Sequence, residues 1–405
     1  MTTLLPPDNI IRESIVPRSG QIIDGEGRTY LLADGWDFIP INIDRVTHVT
    51  LRDMKIIASN DALERLAGII TMTNSTHIKL DNVQIIGSGD SGGTRHQTIC
   101  WVQHCRDVTL NNCEMGCSPK NWNLWLAYTE GVSITGGQYH DAYYDGIKVG
   151  NDNYQLLIQN AKCHHNGRKS AGAGATGDGI DITHGASGGV DLIAVHCWGN
   201  DNGLTFKYAP WRDHTASEDR VPVYGVNVVG GSYDHNGNGI FFQGFSGEPP
   251  AGADGSNCPF PMGLNVRGVS ANFNDNTGIV LGAGSYNLTD CLTYRNKKNG
   301  LDLSTDAKWC TVRNHRSIAN GEANINQWGP HNSFYSCYCD GRDVIAGNHA
   351  DLSKLKKVSK RGINWQWKPA KGKAHGFVMH TYNEGSKNDN GQPPHLPDYR
   401  WRPVD

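Results

Sequence analysis

Lys148, Asp181 and Lys207 carry the chemistry most open to use in this sequence, and they fall in three successive copies of one short segment. The copies read Asp145-Gly146-Ile147-Lys148-Val149, Asp178-Gly179-Ile180-Asp181-Ile182 and Asn202-Gly203-Leu204-Thr205-Phe206-Lys207. Two-residue alternation of apolar and polar positions predicts a strand with one buried face. The residues between the apolar ones then share the other face. Trp125, Lys148, Asp181, Thr205, Phe241, Val280 and Asp302 form one outward column, with Thr183, Lys207, Gln243 and Ser304 two residues further along. Neighbouring parallel strands lie about 4.8 Å apart, close enough for these side chains to meet.

Such a set of amines and carboxyls suits the cleavage of an acidic polysaccharide. In β-elimination an amine of lowered pKa removes the proton beside a uronate carboxyl. Lys148 and Lys207 are the candidates, each lowering the other's pKa by repulsion. Arg212 is the candidate to neutralise the uronate, and His184 or His214 to protonate the leaving oxygen. Hydrolysis instead needs two carboxyl groups, for which Asp178 and Asp181 are nearest. Three long inserts flank the column: 165–177 with Arg168, 209–222 with Trp211, Arg212 and His214, and 245–262. They would wall a groove in which Trp211, His214, Gln243, Phe241, Trp125 and Arg168 bind sugar by stacking and charge. Structural roles compete with these. Asp145 and Asp178 occupy a column filled elsewhere by Asn202, Asn238 and Asn299, which suits a turn ladder, and Lys148 with Asp181 suits a cross-strand ion pair.

The elements that must position these residues are repeats. A first strand recurs as Val49-Thr50-Leu51, Ile78-Lys79-Leu80, Val108-Thr109-Leu110, Val132-Ser133-Ile134 and Leu156-Leu157-Ile158, and continues to Cys310-Thr311-Val312. The spacing is that of a solenoid. Asn200, Asn236, Asn296 and Asn320 mark a second polar stack. Cys113, Cys163, Cys197, Cys291, Cys337 and Cys339 fall where other copies have Met54, Val83, Val269 or Ala271, so they read as free interior thiols. The predicted fold is all-β, a right-handed parallel β-helix of about 11 coils over 21–345. Residues 1–20 are expected to form an N-terminal arm or cap, and 346–405 a C-terminal cap or strap.

Composition agrees with a folded chain: 405 residues, 38% hydrophobic and 19% charged, with 49 glycines for turns. A net charge of −3 gives no electrostatic case for nucleic acid as a partner. The start Met1-Thr2-Thr3-Leu4-Leu5-Pro6-Pro7 shows no signal peptide, and no apolar run predicts a membrane span.

The repeat, the asparagine stack and the opening Ile22-Ile23-Asp24-Gly25-Glu26-Gly27-Arg28-Thr29-Tyr30 resemble the pectate-lyase-like right-handed β-helix superfamily over roughly residues 20 to 345. That group holds polysaccharide lyases, polygalacturonase-like hydrolases, uronan epimerases and phage tailspikes. Thr176-Gly177-Asp178-Gly179-Ile180-Asp181 is similar to the Asn-Thr-Asp-Gly-Ile-Asp motif of the polygalacturonase-like branch, which implies a catalytic carboxyl at Asp178. That branch's Asp-Asp pair and Gly-His-Gly are replaced by Asp201-Asn202 and Asn236-Gly237-Asn238-Gly239. The resemblance implies a polysaccharide-degrading enzyme, a lyase first and a glycoside hydrolase second, of phage tailspike-like depolymerase type. It also implies an extracellular or virion-associated setting and a homotrimer. A uronan C5-epimerase and a non-catalytic glycan-binding spike are the alternatives. No cofactor or metal is expected, and acidic residues around Asp178 and Asp181 are too few to predict a Ca²⁺ site.

Overall fold

The computed structural model describes residues 2–33, 35–36, 38–58, 68–88, 98–150, 152–167, 177–183, 188–207, 224–242, 262–282, 286–304, 307, 310–328, 332–339, 344–346, 363–367 and 377–381. From residue 106 on, a coil runs through three strand segments, as in Glu130–Thr135, Gln138–His140 and Ile147–Val149, before Tyr154–Gln159 begins the next; in the earlier coils the first two are one continuous strand, as in Thr47–Ile57. Every segment pairs in parallel with its counterpart one coil away, so Val108, Val132, Leu156, Val190 and Val226 stack in register. The chain is therefore a parallel β-helix, wound in the right-handed sense that twisted parallel strands favour.

Its second sheet holds one strand per coil, twelve among the described residues, from Ile41–Asp44 to Val344–Ala346. The first and second segments of each coil join a larger sheet, and the third forms the twelve-strand one. Thr2–Leu4 and Ile10–Ile11 pair onto Ile22–Leu32 at one end. At the other end Phe377–Thr381 pairs with Ser333–Cys339 and runs antiparallel to Ile363–Trp367. Among the described residues no helix is long and apolar enough to cross a membrane.

Three kinds of ladder hold the coils in register. Apolar residues fill the interior, Ile147, Ile180, Leu204, Ile240, Ile279 and Leu301 being fully buried in one column. Asparagines form the second ladder. Asn200 donates from Nδ2 to Cys163 O and to Asn236 Oδ1, both at 3.0 Å, and its own Oδ1 accepts from Asn166. The ladder passes on through Asn274, Asn296 and Asn320, so Asn166 and Asn274 extend the four-member stack read from the sequence. The third ladder sits at the corners, where one residue per coil takes a left-handed conformation. Asn82, Asn112, Gly136, Asn160 and Ala194 do so at one corner, with φ between 49° and 67°. Asn and Gly tolerate that region best.

The cysteines lie where the repeat places them. Cys163 pairs with Cys197 in the interior, Cys113, Cys291, Cys337 and Cys339 are buried, and all six are free thiols. The glycine that follows Asp or Asn at the start of these strands is fixed by contact between coils. Gly179 has no positive φ; a Cβ there would stand 2.5 Å from the carbonyl oxygen of Gly203 on the next coil. Close stacking of coils, rather than a sharp turn, requires glycine.

Candidate functional site

The outward column exists in the predicted register. Trp101, Trp125, Lys148, Asp181, Thr205, Phe241, Val280 and Asp302 are direct neighbours on consecutive strands of the second sheet. Apolar residues on either side of each, such as Ile180 and Ile182 around Asp181, anchor the strand inward and turn the central side chain out. Outward here does not mean open to solvent: Asp181 is 1% exposed and Thr205 fully buried. Trp125, Lys148 and Phe241 are partly exposed.

Lys148 is held by carboxylates. Its Nζ donates to Asp181 Oδ2 at 2.6 Å and lies 3.8 Å from Asp145 Oδ2. The cross-strand ion pair considered from the sequence is therefore present, with the lysine side chain only 12% exposed. Asp178 completes the group. One carboxylate oxygen from each of Asp145, Asp178 and Asp181 lies within 4.8 Å of the others, and all three residues are buried. The ladder role is also real. Asp178 donates its backbone N–H to Asp145 Oδ1 at 2.8 Å and accepts from Asn202 Nδ2 at 2.7 Å, and Asn238 repeats that bond to Asn202. Two aspartates of the ladder thus lean on the same point as the outward Asp181.

This crowding sets protonation. Burial pushes the Asp145 carboxyl well above the usual range, and the charges of Asp181 and Asp178 push it the same way; Lys148 and the Asp178 N–H oppose them. The Asp145 carboxyl is thereby shifted toward its protonated form beside the Lys148–Asp181 ion pair. Ca²⁺ takes six to eight oxygens. Here three carboxyls converge, and the Lys148 ammonium already stands between two of them.

Tryptophans adjoin the group. Trp101 and Trp125 have ring centroids 3.5 Å apart, and Trp122 stacks beside Trp125 at 6.1 Å. Lys148 Nζ lies 5.9 Å from the Trp122 ring centre. The sequence reading reached Trp125 but not Trp101 or Trp122. It also left Asp145 with the turn ladder, although Asp145 points at the same ammonium as Asp181.

Lys207 is placed by its backbone, paired with Thr183 two residues beyond the Asp181–Thr205 pair. His184, Arg212, Trp211, His214, Gln243 and Arg168 lie outside the described residues.

No protein-family model matches the sequence, and neither does any curated protein. Solved structures do resemble the fold. The periplasmic alginate epimerase AlgG superposes with a TM-score of 0.58 at 11% identity, over 84% of this chain and 83% of that one. The A-module of the Azotobacter vinelandii mannuronan C-5 epimerase AlgE6 gives 0.36 at 14% identity, over 86% and 87%. Bacteriophage CBA120 tailspike protein 3 gives 0.40 at 10% identity, over 90% and 59%. At these identities the likeness is one of architecture, and it rests on the epimerase AlgG: the chain shares its parallel β-helix.

Proposed function

We propose that this protein degrades a polysaccharide, cleaving glycosidic bonds at the group formed by Asp145, Lys148, Asp178 and Asp181. One observation carries the reading: three buried carboxyls converge within 4.8 Å beside the Lys148 ammonium, which donates to Asp181, and burial raises the pKa of Asp145 among them. A neutral acid to protonate the leaving oxygen and a carboxylate on the other side of the bond are what glycosidic hydrolysis needs. Asp145 takes the first role, Asp181 or Asp178 the second. This places hydrolysis ahead of elimination at Lys148, because an ammonium donating to carboxylate is no base. It also places degradation ahead of epimerisation.

Elimination keeps one specific support: the register sets Lys207 on the same sheet as Asp181, one strand on. Arg212, His184, His214, Trp211, Gln243, Phe241 and Arg168 belong to the proposal as sugar-facing residues. So do a homotrimer, an extracellular or virion setting and an acidic polymer as substrate. The fold shared with the alginate epimerase supports a carbohydrate polymer.

The test is incubation with a panel of bacterial exopolysaccharides, following reducing ends together with the ultraviolet absorbance of unsaturated uronates. Reducing ends without absorbance, lowered about 100-fold or more in Asp181→Asn but retained in Lys207→Ala, are expected. Unsaturated ends lost in Lys207→Ala would establish the lyase instead. Binding with no product of either kind would leave a glycan-binding spike.

A further inference from the structure

We infer that Trp101, Trp122 and Trp125 form a sugar-binding platform to one side of the carboxylate group, and that the glycan chain lies along the solenoid axis to reach both. The inference rests on the proposed polysaccharide cleavage and adds where the polymer is held.

Three observations lead to it. First, Trp125 lies against both Trp101 and Trp122, and all three indoles are partly exposed; Trp101 and Trp125 stand on the outer side of strands whose inner residues Cys100, Leu124 and Leu126 are fully buried. Interior packing is therefore already complete beneath them. Flat apolar rings with an N–H at one edge suit pyranose faces. Second, the platform is continuous with the acid–base group: Lys148 Nζ meets the Trp122 ring on one side and Asp181 on the other. A sugar leaving the indoles along the column meets that ammonium next. Third, the register gives direction and distance. Trp101, Trp125, Lys148 and Asp181 stand on four consecutive strands. At one strand spacing each, Trp125 lies about 10 Å and Trp101 about 14 Å from Asp181 along the axis. That is a span of several sugar units, so the platform binds residues remote from the bond that breaks. Remote binding that is equal in ground and transition states lowers KM and sets the shortest useful substrate while leaving kcat nearly unchanged.

The experiment uses the full chain carrying Asp181→Asn, which binds without turnover, in native gels containing sodium alginate, polygalacturonate or dextran. Retardation by at least one polymer is expected. Adding Trp122→Ala and Trp125→Ala should weaken it about tenfold or more, and Trp→Phe at both positions should restore most of it, a result that mere loss of packing would not give. In the active background the same tryptophan variants should raise KM with kcat within about twofold. Retardation by none of the three polymers overturns the platform. So does undiminished retardation of Trp→Ala variants whose melting temperature matches the parent. If the tryptophan variants lose retardation while Asp181→Asn still cleaves at the parental rate, the platform stands and the catalytic assignment falls.

Discussion

A single buried histidine shows how strongly the interior controls protonation. His315 is fully buried, its Nε2 lies 3.2 Å from Thr293 Oγ1, and burial pulls its pKa down to about 3 from 6.5. In the unfolded chain it takes up a proton below pH 6.5, and in the folded chain only near pH 3. Between those values the unfolded state binds more protons, so stability falls as pH falls, by at most about 5 kcal/mol. The contribution is intact above pH 6.5 and is lost on acidification. His315→Leu should shift the acid-unfolding midpoint to lower pH, while melting near pH 8 stays within a few degrees; an unchanged midpoint would place the acid sensitivity elsewhere. Asp145 has the opposite sign. Its raised pKa means that deprotonation opposes folding, so its neutral form is the one the fold prefers. At this scale the sequence was only partly legible. Period-two alternation put Lys148 and Asp181 on one face, but the convergence of Asp145 on the same ammonium depends on side-chain direction at a corner, which alternation does not encode.

At the scale of the element, the repeat was legible because each ladder imposes one residue type at one place. Asn at the inner corner and Gly before the second strand both recur for contact reasons that any coil must satisfy. Trp101 stands in a strand without the Asx-Gly pair, Thr98-Ile99-Cys100-Trp101, and Trp122 lies before the Leu124–Ala127 strand, outside the alternating column. Asn200 illustrates the energetic weight of a ladder member. Its side chain serves Cys163 O, Asn236 Oδ1 and both nitrogens of Asn166, all buried. Asn200→Ala leaves several of these groups without partners, so a loss of about 3 kcal/mol or more is expected. Urea unfolding followed by circular dichroism measures it, and a change under 1 kcal/mol would mean that water replaces the amide.

Across the whole molecule, each coil contacts little beyond its two neighbours, so stability is close to a sum of coil and interface contributions and opening proceeds from the ends or from weak coils. The twelve-strand sheet and the larger sheet beside it are lined from one end to the other by the same interior columns. Long inserts leave this register undisturbed. Val226 and Leu264 pair directly although 245–262 intervenes, just as Val132 and Leu156 pair across a short connection. Loop length and core repeat are thus separable, which is why fold and reaction were unequally legible: the repeat is written in every coil, the chemistry in a few.

The buried thiols give this architecture an internal recorder. Cys100, Cys113, Cys163, Cys197, Cys291, Cys310 and Cys337 are spaced along the axis, each sealed from reagent in the closed state, and burial raises several of them, Cys113, Cys291 and Cys310 to about 12. A thiol of that kind is inert until its coil opens. Brief alkylation at rising urea, read by peptide mass, should therefore date the opening of each coil in turn. Cys337 is expected to be marked before Cys163 and Cys197, which have more coils on either side; simultaneous marking would mean that the solenoid yields as one body.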